Sequence, residues 1–162
     1  MTATPAFFES TERRLITRMQ EYWDYLRQER DFPSAADVNP VELDEDWCDC
    51  FVMFPSAEPG ETLFKFIGPR LLENARLPED WARAAPRSVT DCPGGSMIAR
   101  SVQYVAHVIE QRRPVTVTEA FAEDGEEVRM RAILFPLSSD GQTVDAILGA
   151  ANCARIADVK RK

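Results

Sequence analysis

The sequence predicts an α+β domain: a five-stranded antiparallel sheet with a leading N-terminal helix and a crossover helix packed on the sheet. Three observations carry that prediction. The stretch from Val115 to Cys153 divides into three strand-like runs, Val115–Ala122, Glu127–Leu137 and Thr143–Cys153, the first rich in β-branched residues. Asp124-Gly125 and Asp140-Gly141 fall in the two gaps, and Asp-Gly between alternating runs is a strong hairpin signal because glycine reaches positive φ at no steric cost. Upstream, two apolar segments at helical period flank a pair of shorter strand candidates.

The first helix is expected from a cap at Ser10 or Thr11 to about Arg27, after a frayed lead-in over residues 1–9. Leu15, Met19, Tyr22 and Leu26 recur at helical spacing, widened by Ile16 and Trp23. Phe32-Pro33 ends it, since the residue before proline avoids the helical region. A second helix start follows at Asn39-Pro40, with asparagine as cap and proline at the first helical position. The acids Glu42, Asp44, Glu45 and Asp46 suit a solvated first turn favoured by the helix dipole rather than a metal cluster.

Cys48–Phe54 and Thr62–Ile67 read as strands around a Pro/Gly-rich loop, and Gly68-Pro69 stops the second. Prolines 78, 86 and 93 restrict 70–92 to short turns, with Trp81 as an anchor. A helix then runs from Met97 to about Gln111, with Ile98, Val102, Val105 and Ile109 on one stripe. His107 falls on the opposite, polar side. The chain thus divides into a flexible terminus (1–9), a helical extension (10–47), the domain proper (48–153) and a basic tail (154–162).

Composition narrows the function classes. The chain has 162 residues, 44% of them hydrophobic, enough for one domain with a real core. Its formal charge of −8 makes a phosphate backbone a poor partner. The amino terminus lacks a signal-peptide pattern and no apolar run reaches membrane-span length, so neither nucleic acid nor membrane is expected and the location is read as cytoplasmic. Cys48-Asp49-Cys50 lacks the spacing of a zinc or thioredoxin-like motif, and with Cys92 and Cys153 it reads as reduced thiol. No metal, cofactor or catalytic residue is assigned. Pro93-Gly94-Gly95-Ser96 has no P-loop lysine and reads as a capped helix start.

The element order resembles the PAS fold, and the residues Tyr22, Trp23, Leu26, Arg27, Pro33, Asp37 and Pro40 resemble the leading Tyr-Trp…Leu-Arg helix and Pro…Asp-x-x-Pro segment of stand-alone bacterial PAS-type proteins. Arg131–Leu137, Asp140-Gly141 and Val144–Gly149 resemble the end of that domain. Where such proteins carry a Gly-Thr after the second strand and a later Gly-rich turn, this chain has Gly68-Pro69 and Leu72-Glu73-Asn74. The resemblance implies a non-enzymatic sensory or regulatory module in bacterial signalling, acting through protein–protein contacts and often dimeric. A haem histidine on the crossover helix and a flavin-photosensor cysteine are the family chemistries to weigh. His107 lies off the apolar seam, and Cys92 is followed by Pro93-Gly94 rather than the photosensor pattern.

Two candidate sites follow. Phe66, Ile98, Val102, Val105, Ile133 and Ile147 are the expected lining of a small apolar ligand site, although which sheet parity faces it is open. Leu15, Met19, Tyr22, Trp23 and Leu26 are the expected surface for an unidentified protein partner or a second copy in a homodimer. The alternative is a small-molecule-binding protein or enzyme of the conical α+β type, which needs a buried acid or histidine in its cavity.

Overall fold

The architecture was established from a computed structural model, which describes residues 3–58, 61–77, 81 and 87–157. Helix α1 (Ala3–Arg27) is followed by α2 (Pro40–Leu43), strands β1 (Cys50–Phe54) and β2 (Leu63–Ile67), and helix α3 (Pro69–Asn74). Then come β3 (Arg87–Ser88), helices α4 (Met97–Val102) and α5 (Val105–Gln111), and the long strands β4 (Val115–Glu123), β5 (Glu126–Leu137) and β6 (Ala146–Ala157). The sheet order is β3-β2-β1-β6-β5-β4. Every neighbouring pair is antiparallel. The expected five strands are therefore present, with the two-residue β3 added at one edge. The first and last strands, β1 and β6, lie side by side in the middle.

Register fixes the two faces, because side chains alternate along a strand and paired residues share a face. One face carries Phe51, Met53, Phe64, Val117, Met130, Leu134 and Ile147, covered by α4 and α5. Ser101 of α4 donates to the Met130 sulfur there at 3.9 Å. The other carries Cys50, Val52, Ile133, Phe135, Leu148 and Ala150, covered by α1. Trp23 stacks on Phe135 with centroids 5.8 Å apart, and its indole N–H donates to the Pro136 carbonyl at 3.0 Å. Residues on both faces are buried, so the sheet is the middle of three layers.

Several elements depart from the sequence expectation. Helix α1 starts at Ala3, ahead of the cap expected at Ser10 or Thr11. Pro5 is compatible because a first-turn amide has no intrahelical acceptor. Met1, Thr2 and the Lys160–Lys162 tail lie outside the described residues. Strand β6 runs to Ala157, past the boundary expected at Cys153, because it stays paired with β5 as far as Glu126↔Ala157. Cys48 belongs to a 3-10 segment, Asp44–Asp49, so β1 begins only at Cys50.

The Asp124-Gly125 turn is tight, with φ of 53° and 80° and Glu123 paired to Glu126. Asp140-Gly141 instead sits in a loop between Leu137 and Ala146, not a tight turn. There the Asp140 carboxylate accepts amide hydrogen bonds from Gln142 and Thr143, both at 2.8 Å, so a side chain shapes the loop. The crossover helix is broken between Val102 and Val105. The buried set is Met97, Ile98, Ser101, Val105 and Val108, and Ile109, expected in the stripe, is exposed.

Candidate functional site

The six residues expected to line one cavity do not meet. Ile98, Val105 and Ile147 are buried between α4/α5 and the sheet, with Val102 half-buried beside them. Ile133 pairs with Ala150, and Phe66 pairs with Val52, which places both on the opposite, α1-bearing face. Next to Ile133 it is Leu134, opposite Gly149, that shares the face of Ile147. The face under α4 is filled by aromatic rings. Phe51 lies flat on Gly149, where an added Cβ would come within 2.2 Å of the ring. Phe64 meets Phe51 edge-on at 6.0 Å, and Trp81 meets Phe64 at 6.3 Å.

The residues expected to meet a partner are also committed elsewhere. Leu15, Met19 and Trp23 are buried in the chain's own core, against its sheet, and Leu26 is buried beside the strap residues Ala36, Val38 and Pro40. Tyr22 is half-buried: its hydroxyl accepts from the Asn39 amide and donates to the Glu42 carboxylate, each at 2.9 Å. Burial is the main reason its phenol is pushed up to about 12. The apolar stripe on α1 thus serves packing. What α1 leaves outside is Tyr25, 64% exposed, and α2 exposes Val41 at 83%.

Between α1 and β1 the chain forms a strap held at several points. Ser34 and Asp37 make a reciprocal capping box, and Asn39 caps α2 through its side chain on the Val41 amide. Arg30 pairs with Asp37 at 2.9 Å. The Ser34 amide is the main cause that holds the Asp37 carboxyl below its usual range. The Ser-x-x-Asp spacing at 34–37 was readable in the sequence as a cap signal, whereas the longer links were not. Arg18 grips Asp46 with two hydrogen bonds of 2.8 Å, and Arg70 grips Asp49 at 3.0 and 3.1 Å. Burial raises the Asp49 carboxyl even so, Arg70 only partly offsetting it. Glu42 and Asp46 therefore act as anchor points, and among the described residues no cluster is arranged to hold a metal ion.

On the other face, Glu119 of β4 receives Arg100 at 3.2 Å and the Tyr104 hydroxyl at 2.8 Å, at the break between α4 and α5. Arg100 also lies 3.8 Å over the Phe121 ring. At the far end, Arg155 pairs with Glu123 at 2.8 Å and donates to the Asn74 carbonyl. Arg76 pairs with Glu126 at 2.7 Å, closing α3 onto the β4–β5 hairpin. His107 is exposed, as its position on the polar side of the helix implies. The Cys92 thiol is pushed up to about 12, chiefly by burial, so it is not a ready thiolate. The Cys50 thiol is likewise raised, chiefly by burial, and donates to the Asp46 carbonyl at 3.3 Å.

A single antiparallel sheet with β1 and β6 at its centre, a helical crossover on one face and a leading helix on the other defines an α+β domain. The family described as PAS domain matches residues 11–85, which takes in most of α1, the strap, β1, β2 and α3. That match and the fold support a PAS-type domain protein. Curated proteins give no match. Among solved structures, a variant of RsLOV is similar at 13% identity and a TM-score of 0.48, over 70% of this chain and 64% of that one, so this chain spans a little under two thirds of its length. A light-oxygen-voltage domain studied with a flavin analogue is similar at 15% identity and a TM-score of 0.46, over 73% of this chain and 84% of that one. A fungal LOV domain photoreceptor gives 13% and 0.42, over 74% and 94%. Likenesses this distant assign no ligand.

Proposed function

We propose that this protein is a sensory or regulatory module of bacterial signalling that acts in the cytoplasm through protein–protein contacts and catalyses nothing. The observation that carries this reading is the match to the PAS family over residues 11–85, the segment in which α1 and the strap are tied together. The contact surface is the outward side of α1 and α2, around Tyr25 and Val41, because the inward stripe is spent on the sheet. Large exposed aromatic and aliphatic side chains are a familiar mark of an interaction site.

A second copy of the chain is the partner to test first. Sedimentation velocity over a range of concentrations is expected to show a reversible dimer. Tyr25→Asp with Val41→Asp is expected to leave a monomer with an unchanged thermal midpoint, since neither side chain supports the core. A wild-type chain that stays monomeric removes the homodimer, and capture of the same partners from lysate by wild type and double variant removes this surface.

A further inference from the structure

Strand β2 contains an irregularity with a chemical consequence. Val52 pairs with Phe66 and Met53 with Phe64, so Lys65 is an extra residue opposite the step between them. A bulge of this kind turns two successive side chains toward the same face. Lys65 and Phe66 accordingly both border one groove on the α1-bearing side of the sheet. Its other walls are Ala35, Val38, Pro40, Trp47 and Val52, and it encloses about 320 Å³. Trp47 and Phe66 form its aromatic wall, stacked at 4.1 Å and nearly parallel at 10°.

Among the described residues, Lys65 is the sole charged one in that lining. Its ammonium lies 5.6 Å from the Phe54 ring centre, and among the described residues no carboxylate pairs with it. Most arginines bordering the strap are already gripped by acids, so this cation stands out in a chain of net charge −8. The volume falls in the range of small-molecule sites, about 300–1,000 Å³. An apolar trough with one unneutralised cation at its rim is complementary to an amphiphilic anion.

We propose that this groove binds a small apolar carboxylate, its body against Trp47, Phe66 and Val38 and its carboxylate on Lys65. Occupancy bears directly on the strap, because Val38 and Pro40 flank Asn39, whose amide is fastened to Tyr22 of α1. The inference stands on the groove itself and not on the regulatory reading, which survives if the groove proves empty.

The test uses the intact chain and its tryptophan indole N–H signals by NMR, three in all. The Trp47 signal is assigned by its loss in Trp47→Phe, and naphthoate, octanoate and uncharged naphthol are the probes. The Trp47 signal is expected to move on titration with a carboxylate while that of Trp23, behind α1, stays in place. Lys65→Gln, at an exposed position, is expected to weaken binding by roughly tenfold, the loss of one charge-assisted hydrogen bond. Naphthol is expected to bind correspondingly weakly. Movement with octanoate alone assigns an alkyl carboxylate, and with naphthoate alone an aryl one. A stationary Trp47 signal with both acids, or equal affinities for wild type and Lys65→Gln, overturns the proposal.

Discussion

Gly149 shows how one residue sets the packing of a whole face. The Phe51 ring occupies the space a side chain would need, with Cζ at 2.2 Å from an added Cβ. Gly149→Ala must displace a ring that is itself fully buried. Overpacking of this sort costs about 1–3 kcal/mol. Urea denaturation is expected to show that loss, and Phe51→Leu is expected to recover part of it in the double variant, whereas simple additivity would place the strain elsewhere. Asp140 offers a second measurement at this scale. Its carboxyl is held down to about 2, foremost by the Thr143 and Gln142 amides. Because the folded value lies below the ordinary one, the stabilisation is complete above about pH 4 and is lost as pH falls toward about pH 2. Asp140→Ala is therefore expected to lower the thermal midpoint at pH 7, with the difference from wild type narrowing between pH 4 and pH 2. A difference independent of pH would mean that the loop does not depend on the charge.

Elements with strong local signals were legible in the sequence, and those set by distant partners were not. The Asp124-Gly125 hairpin, the Asn39-Pro40 helix start and the α1 stripe each follow from a few adjacent residues. The break in the crossover helix was hidden because an unbroken helix and two short ones fit the same apolar spacing until Ile109, which proved exposed. The candidate ligand lining mixed two faces for a related reason. Alternation gives parity within a strand, but only register shows that Ile133 lies over Ala150 and under α1. The bulge at Lys65 is likewise a property of two strands. The seating of α1 can be tested with one atom's worth of chemistry. Trp23→Phe keeps an aromatic ring on Phe135 and deletes the donor to the Pro136 carbonyl. A buried carbonyl left without its partner costs about 1–3 kcal/mol. Amide exchange is expected to accelerate along α1, and unchanged exchange would show that ring packing alone seats the helix.

At the scale of the molecule, the two covers on the sheet decide how a signal could travel. Leu15, Met19 and Trp23 hide a face made of Ile133, Phe135, Leu148 and Ala150, all buried. Each large apolar side chain contributes roughly 1.5–3 kcal/mol when buried, so releasing α1 costs roughly 5–9 kcal/mol from these three side chains alone. That is comparable with the entire stability of a typical domain, about 5–15 kcal/mol. Helix α1 cannot lift off as a local event; it leaves only when the sheet unfolds. Far-ultraviolet circular dichroism, which follows the helices, and tryptophan fluorescence are thus expected to give coincident urea transitions, with the slowest α1 amides exchanging at the global limit. An early transition confined to α1 would contradict this and would make helix release the signalling step. With coincident transitions, the route open to a signal is a shift of the strap while α1 stays seated. The Tyr22–Asn39 and Arg30–Asp37 links are side-chain contacts at the surface that can rearrange without uncovering the core.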